Sequence, residues 1–286
     1  MDFLARLLNG LLMLALPLGL GVFLARRAGG RWGLYGAGGL TFVGSQVLHV
    51  PFNGLILNPQ LEAIGFGERG LSGTLALSAI LLGLSSGIFE EGARYLVLRF
   101  WQREARSWRA ALMFGAGHGG VEAIIVGVLV LVAFFQAVAF RGADLSAIVA
   151  ADQLAAAEAQ VEAYWAAPWP LALLGAVERA FSLIVHLALA VMVMRVFTHR
   201  KWLWLVAAIG WHMFVNFVAV IGVQTVSAAA TEGLIGVTAL LSLGLIFRLR
   251  EGDAEFPPPR GQPAAKIPPA RPELGEVRLD ESRYAD

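Results

Sequence analysis

The chain has 286 residues, of which 57% are hydrophobic and only 15% charged, with a net charge of +1 and a mean hydropathy of +0.67. Those values lie outside the range of ordinary soluble domains. Cysteine is absent, which excludes a disulfide framework, a thiolate nucleophile and Cys-ligated zinc.

A membrane-spanning helix needs roughly 20 mostly apolar residues. Seven segments meet that length: 3–25, 32–51, 71–100, 110–140, 169–197, 202–223 and 228–247. The expected fold is therefore all-α, a polytopic integral membrane helix bundle of about seven transmembrane helices occupying residues 1–250. The first segment is long and has no A-x-A pattern before Arg26 and Arg27, so it is read as a retained span rather than a signal peptide. The second ends at Pro51 on this reading. Glycines cluster at Gly115, Gly117, Gly119 and Gly120 in the fourth, where close helix–helix approach is expected. The connection Asp144–Trp165 is Ala-rich and acidic and is expected to form a helix over the outer mouth of the bundle. From Glu251 onward, prolines stand among charges, the composition of a disordered tail that cannot bury a core.

Basic residues alternate between loops. Arg26, Arg27 and Arg31 follow span one, Arg99, Arg103, Arg106 and Arg109 surround the turn after span three, and Arg195, Arg200 and Lys201 follow span five. Arg248 and Arg250 follow span seven, whereas the intervening loops are mainly acidic. The positive-inside rule then predicts a multi-pass cell-membrane protein with its N-terminus outside and its C-terminal tail in the cytoplasm. Charges segregated by side, rather than pooled on one surface, exclude nucleic acid as a partner. The lipid bilayer is the partner that remains.

Four spans carry polar residues at helical spacing: Glu90, Glu91 and Arg94; His118 and Glu122; Ser182 and His186; His212 and Asn216. Ionisable groups inside lipid are costly and usually face a bundle interior at a functional site. Their depth follows from the helical rise of about 1.5 Å per residue. Glu90 lies nine residues from Arg99, His118 nine from Arg109, His186 nine from Arg195, and His212 eleven from Lys201. All four then sit roughly 13–17 Å from the basic ends of their helices, although neighbouring helices run in opposite directions. Glu122 and Asn216 lie one turn further out. Each pair also has a structural reading: a neutralised Glu90–Arg94 bridge, a core His118 with Glu122 as acceptor, a His212–Asn216 interhelical clip. Gln46 and His49 fall near the outer end of span two and are assigned to helix packing or an outer polar layer. Glu178 lies about 12 Å further out than His186, so no direct contact is expected, and its neighbour Arg179 pairs or snorkels.

Glu, His and Asn without a nucleophilic Ser or Cys suit activated water. A glutamate takes the proton, a histidine orients the water, and further His and Asn donors meet the oxyanion. Alternatively, two or three imidazoles with a carboxylate make a zinc site with one open position, with His118, His186 and His212 as the candidate ligands. No G-x-S-x-G, Walker loop or H-E-x-x-H is present, which removes the common soluble hydrolase and nucleotide-binding classes. A proton or divalent-metal transporter with an intramembrane Glu/His relay is the competing class, and a membrane scaffold that binds partners through its tail is a third. The lack of evident internal repeats weighs against the transporter.

These residues also resemble a known group. The EExxR element (Glu90, Glu91, Arg94), a histidine motif on the next helix and a final HxxxN (His212, Asn216) resemble the CAAX-protease and bacteriocin-processing superfamily of intramembrane peptidases. Within it, FEEGARY, GHGGVEA, a later ER…H and WHMFVNF most resemble the YhfC-type intramembrane metalloproteases, over about residues 40–220. The resemblance implies hydrolysis of peptide bonds in membrane-embedded peptide or protein substrates. Glu90 or Glu91 would activate water, His118 would assist, and His212 with Asn216 would bind the oxyanion or a metal. Two residues separate Glu91 from Arg94 where the prenyl endopeptidases have three, and Glu122 is absent from their simpler histidine motif. The choice between the two glutamates, and between zinc-dependent and metal-free chemistry, stays open at this point.

Overall fold

The structure is a computed structural model that describes residues 1–65 and 73–250. The tail expected to be disordered lies outside the described residues, and no strand occurs among those described. Among the described residues seven helices are long and apolar enough to cross a membrane, and the chain is a multi-pass all-α bundle. In order they are α1 (Asp2–Ala28), α2 (Trp32–Phe52), a π-helical turn (Asn53–Leu57) running into α3 (Asn58–Ala63), α4 (Gly73–Phe100) and α5 (Trp108–Phe140). There follow α6 (Leu154–Ala166), the single turn α7 (Trp169–Ala172), α8 (Leu174–Thr198), α9 (Leu203–Thr225) and α10 (Ala228–Arg248).

One expected boundary is corrected. Pro51 does not end the second span, because helix continues through it and the π-helical turn to Ala63, and the apolar stretch covers Trp32–Ala63. Proline is tolerated inside membrane helices, where its missing donor can be compensated locally, and here the turn widens just beyond it. His49 therefore sits well inside the span rather than at its end.

Helix ends are set by specific residues. Gly29 adopts φ 64° and closes α1 by donating its N–H to Leu24, a left-handed cap that glycine accepts without a Cβ penalty. Ser107 and Ser227 accept from the backbone N–H of Ala110 and Ala230 at the starts of α5 and α10. The start of α8 has no side-chain cap of its own, and Asn9 of α1 supplies one, its Oδ1 accepting from Ala176 N at 2.7 Å. At the opposite end of the bundle, Arg106 donates to the carbonyls of Leu98, Gln102 and Ala105 and satisfies the C-terminus of α4.

Helix α8 is the axis. It packs against α5, α10, α9, α1 and α4, and 67% of an 18-residue apolar window of its span is buried, the highest share of the seven. Around it α5 pairs with α1 and α2, α2 with α4, α4 with α9, and α9 with α10. Glycine permits the closest crossings. A Cβ at Gly38 would stand 2.0 Å from Phe114 O, and one at Gly117 1.9 Å from Tyr35 O, so α2 and α5 cross backbone to backbone. On the other side of α5, a Cβ at Gly115 would reach His186 O at 2.7 Å, and one at Gly119 the His186 ring at 2.7 Å. Gly83 and Gly87 do the same for α4 against Met213 and Ile209 of α9. The cluster in α5 thus serves two neighbours at once, as small residues do where lipid supplies no hydrophobic drive for association.

The connection 144–165 contains a 3₁₀ turn (Leu145–Ala147) and α6, in keeping with the expected helical character. Its contacts go to α1 and α5: Arg6 donates to Tyr164 O and Ala167 O at 2.7 and 2.8 Å, and Trp165 donates to Ala137 O at 3.1 Å.

Candidate active site

Glu90, Glu91 and Arg94 project from α4, His118 and Glu122 from α5, Ser182 and His186 from α8, and His212 and Asn216 from α9. A cavity of about 140 Å³ lies among these helices and α10, lined by Glu90, Glu122, Ser182, His186, His212 and Asn216, with Glu178 and Arg179 also on its wall. That volume holds several waters, each needing roughly 10–15 Å³ by this measure. Val215, Ala219 and Ile235 form its apolar side. His118 is fully buried behind Glu90, and Glu91 and Arg94 are fully buried beneath the cavity.

The two adjacent glutamates, pointing about 100° apart on one helix, have different surroundings. Glu91 pairs with Arg94 and accepts from His212 Nδ1 at 2.8 Å. Glu90 borders the cavity; its Oε2 lies 3.0 Å from His118 Nε2 and 4.0 Å from the Arg94 guanidinium. His186 is held at both nitrogens: Arg94 donates to Nδ1 at 2.6 Å, which leaves the proton on Nε2, 2.6 Å from Glu122 Oε2. Glu122 is held in turn by Arg179 at 2.6 Å, and Arg179 also pairs with Glu178. The chain Glu178–Arg179–Glu122–His186–Arg94–Glu91–His212 is continuous across four helices.

The pairings differ from those the spacing suggested. His118 bonds Glu90 on α4 rather than Glu122 one turn along its own helix, and Glu122 bonds His186. His212 bonds Glu91, while Asn216 faces the cavity. Gln46 and His49 are not an outer layer: Gln46 Nε2 donates to Glu90 Oε1 at 3.3 Å, and His49 Nδ1 lies 3.3 Å from Gln46 Oε1. Arg179 joins the site through Glu122. The signal for α2 was available as Thr41, Ser45, His49 and Asn53 at strict four-residue spacing, but the assumed helix end at Pro51 hid it.

One compact set of metal-type donors occurs among the described residues: Glu90, His118 and His186, whose donor atoms lie within 4.8 Å of one another. His212, the third imidazole proposed from spacing, lies outside this set and bonds Glu91. Three features suit a cation. Two imidazoles and a carboxylate are a common catalytic zinc set. His118 Nδ1 and Glu91 Oε2 are buried without hydrogen-bond partners. Finally, among the described residues the permanent cations that pair with Glu90, Glu91 and Glu122 are the guanidiniums of Arg94 and Arg179, and Glu178 shares the second. A cation at the triad replaces one of the two hydrogen bonds now made by His186.

A helical membrane protein with seven candidate spans among the described residues and a buried Glu/His centre is the class that this fold and site define. The family model described as YhfC intramembrane metalloprotease matches residues 12–235, and the chain belongs to that family. It is 28% identical over 255 residues to the "Uncharacterized membrane protein YhfC" of Bacillus subtilis (strain 168), an alignment covering 85% of this chain and 94% of that protein. No solved structure matches.

Proposed function

We propose that the protein hydrolyses peptide bonds of membrane-embedded substrates in this cavity, with Glu90, His118 and His186 as the metal-holding set. The observation that supports it best is the meeting of Glu90, Glu122, His186, His212 and Asn216 from four helices on one cavity that holds several waters and has an apolar side. A zinc ion held there would polarise the scissile carbonyl and acidify water.

The chain's own residues divide the remaining work. Glu91 accepts the Nδ1 proton of His212 and so leaves Nε2 unprotonated on a ring that lines the cavity. That is the tautomer of a general base oriented by a carboxylate. His212 takes the proton of the attacking water and returns it to the leaving amine. Asn216, one turn away, offers an amide donor to the oxyanion, a better role for it than ligation. Glu122 with Arg179, and Arg94 from the other side, fix the His186 ring, as outer partners do around metal-binding histidines. Val215, Ala219 and Ile235 receive the apolar flank of the substrate.

Purified full-length protein in detergent, assayed for metal content and for cleavage of a membrane-peptide library, tests this reading. Stoichiometric zinc, lost in Glu90→Gln and His118→Ala, and cleavage lost in His212→Gln with zinc retained, are the expected results. An active enzyme free of metal and resistant to chelators would remove the metal assignment. Full activity in both Glu90→Gln and His212→Gln would remove the site.

A further inference from the structure

The polar stripe of α2 leads to one acceptor. Gln46 donates through Nε2 to Glu90 Oε1 and to Ser45 Oγ, both at 3.3 Å. Its Oε1 faces His49 Nδ1 at 3.3 Å, and because an amide oxygen only accepts, His49 carries its proton on Nδ1. His49 Nε2 is then an acceptor, and Asn53 Nδ2 supplies the donor at 3.0 Å. Ser85 Oγ stands at the start of this chain, 3.0 Å from Asn53 Oδ1, 3.2 Å from His49 Nε2 and 2.9 Å from Leu82 O, and its one proton serves one of them at a time. From Asn53 inward the donors run in one direction, Asn53 to His49, His49 to Gln46 and Gln46 to Glu90, and each bond fixes the orientation of the next. The His49 ring is also stacked on Phe89, with centroids 5.3 Å apart and planes 28° from parallel. His49 and Ser85 are buried.

Glu90 has two oxygens with different neighbours. Oε2 has His118 and, at 4.0 Å, Arg94, both on the cluster side. Among the described residues, Gln46 is the one polar partner of Oε1. Without Gln46 the carboxylate can rotate about its terminal torsion, which is broad and roughly two-fold, and either oxygen can meet the cluster. Asn53 begins the π-helical turn, and such turns frequently occur at functional sites.

We infer that Gln46, oriented by His49 and Asn53, is the positioning residue that fixes the Glu90 carboxylate for metal binding. Gln46 touches neither substrate nor metal; it acts through Glu90. This rests on the metallopeptidase reading for its consequence but not for its geometry, and the two can be tested apart.

The test uses full-length protein in detergent with zinc alone as the probe. Gln46→Met keeps the length of the side chain without the amide, and His49→Phe keeps the stack on Phe89 without ring nitrogens. Zinc titration should show affinity reduced about 10–100-fold in Gln46→Met, the usual effect of removing an outer partner of a metal ligand. His49→Phe should lower it less, and the double variant should equal Gln46→Met, because His49 acts only through Gln46. Additive losses would overturn the relay, since independent sites add. A second readout needs no metal: the Glu90 carboxylate band, isolated as the infrared difference between wild type and Glu90→Gln, should shift in Gln46→Met. An unmoved band overturns the inference even if zinc binds. A shifted band in a protein that binds no zinc and cleaves nothing upholds the positioning while the metallopeptidase reading falls.

Discussion

Alanine at Gly119 adds one methyl group where α5 meets α8, and the structure sets the size of the disturbance. The new Cβ would stand 2.7 Å from His186 Cδ2, 2.9 Å from its Cβ and 3.0 Å from its Cγ, whereas ordinary contact begins at 3.4 Å. His186 must therefore retreat by about 0.7 Å or the helices must part. The ring has no slack, because Arg94 and Glu122 hold its two nitrogens at 2.6 Å each. Overpacking of this kind costs typically about 1–3 kcal/mol, and a misplacement near 1 Å at a reacting centre costs about 10²-fold in rate. Gly119→Ala should thus fold with a lowered Tm and lose activity and zinc affinity far out of proportion to that drop. Two comparisons isolate the cause. Gly117→Ala places its Cβ 1.9 Å from the Tyr35 carbonyl, a backbone clash that should destabilise the whole α2–α5 crossing. Gly244→Ala meets nothing within 4 Å and should be neutral or stabilising by up to ~1 kcal/mol. The assays are thermal unfolding in detergent, zinc titration, and the imidazole resonances of His186. Wild-type zinc affinity with an unshifted His186 resonance in Gly119→Ala would refute the tight fit that the site depends on.

Glu91→Gln removes the charge that pairs with the fully buried Arg94, and breaking one side of a buried pair costs about 3–5 kcal/mol; thermal unfolding should show a larger loss than for Glu90→Gln, and the reverse order would place the structural pair on the wrong glutamate. Arg6→Ala removes two charge-assisted bonds to the C-terminal end of α6, about 1.5–3 kcal/mol each. Hydrogen exchange over residues 154–166 should accelerate while the helices around the cavity stay protected. The alternating loop charges predict Gly29, Arg103 and Arg200 inside and Glu62 and Asp152 outside; reporter fusions at those positions check the orientation, and a cytoplasmic Asp152 would overturn it.

The seven spans were legible because apolar length alone defines them, and the level of the polar residues because helical rise is fixed. Neither says which neighbour a side chain meets. His118 and Glu122 share a helix face, and the spacing offers them to each other; but Gly115 and Gly119 admit α8 so closely that His186 reaches Glu122 from across the interface, and His118 turns to Glu90. The number of glycines could be read from the sequence, whereas the helix each one faces could not. Gln46 and His49 were misplaced for a different reason. They were set near the outer end because the span was expected to close at Pro51, but the helix runs on to Ala63, so both lie within it, and Gln46 meets Glu90 across the α2–α4 interface.

Arg179 shows a further limit of reasoning by level. Counting along α8 places Glu178 and Arg179 about two turns from His186, beyond direct contact, and no contact between Glu178 and His186 needs to be made. The guanidinium, however, stands at the end of a long flexible stem and carries its charge far from its own Cα. It spans the interval to Glu122, which lies one turn out from His118 and is itself bonded to His186. Long cations therefore link levels that short carboxylates and imidazoles cannot. In a bundle with so few charges, the search for partners of a buried glutamate must extend two turns along each adjoining helix for arginine, and one turn for everything else.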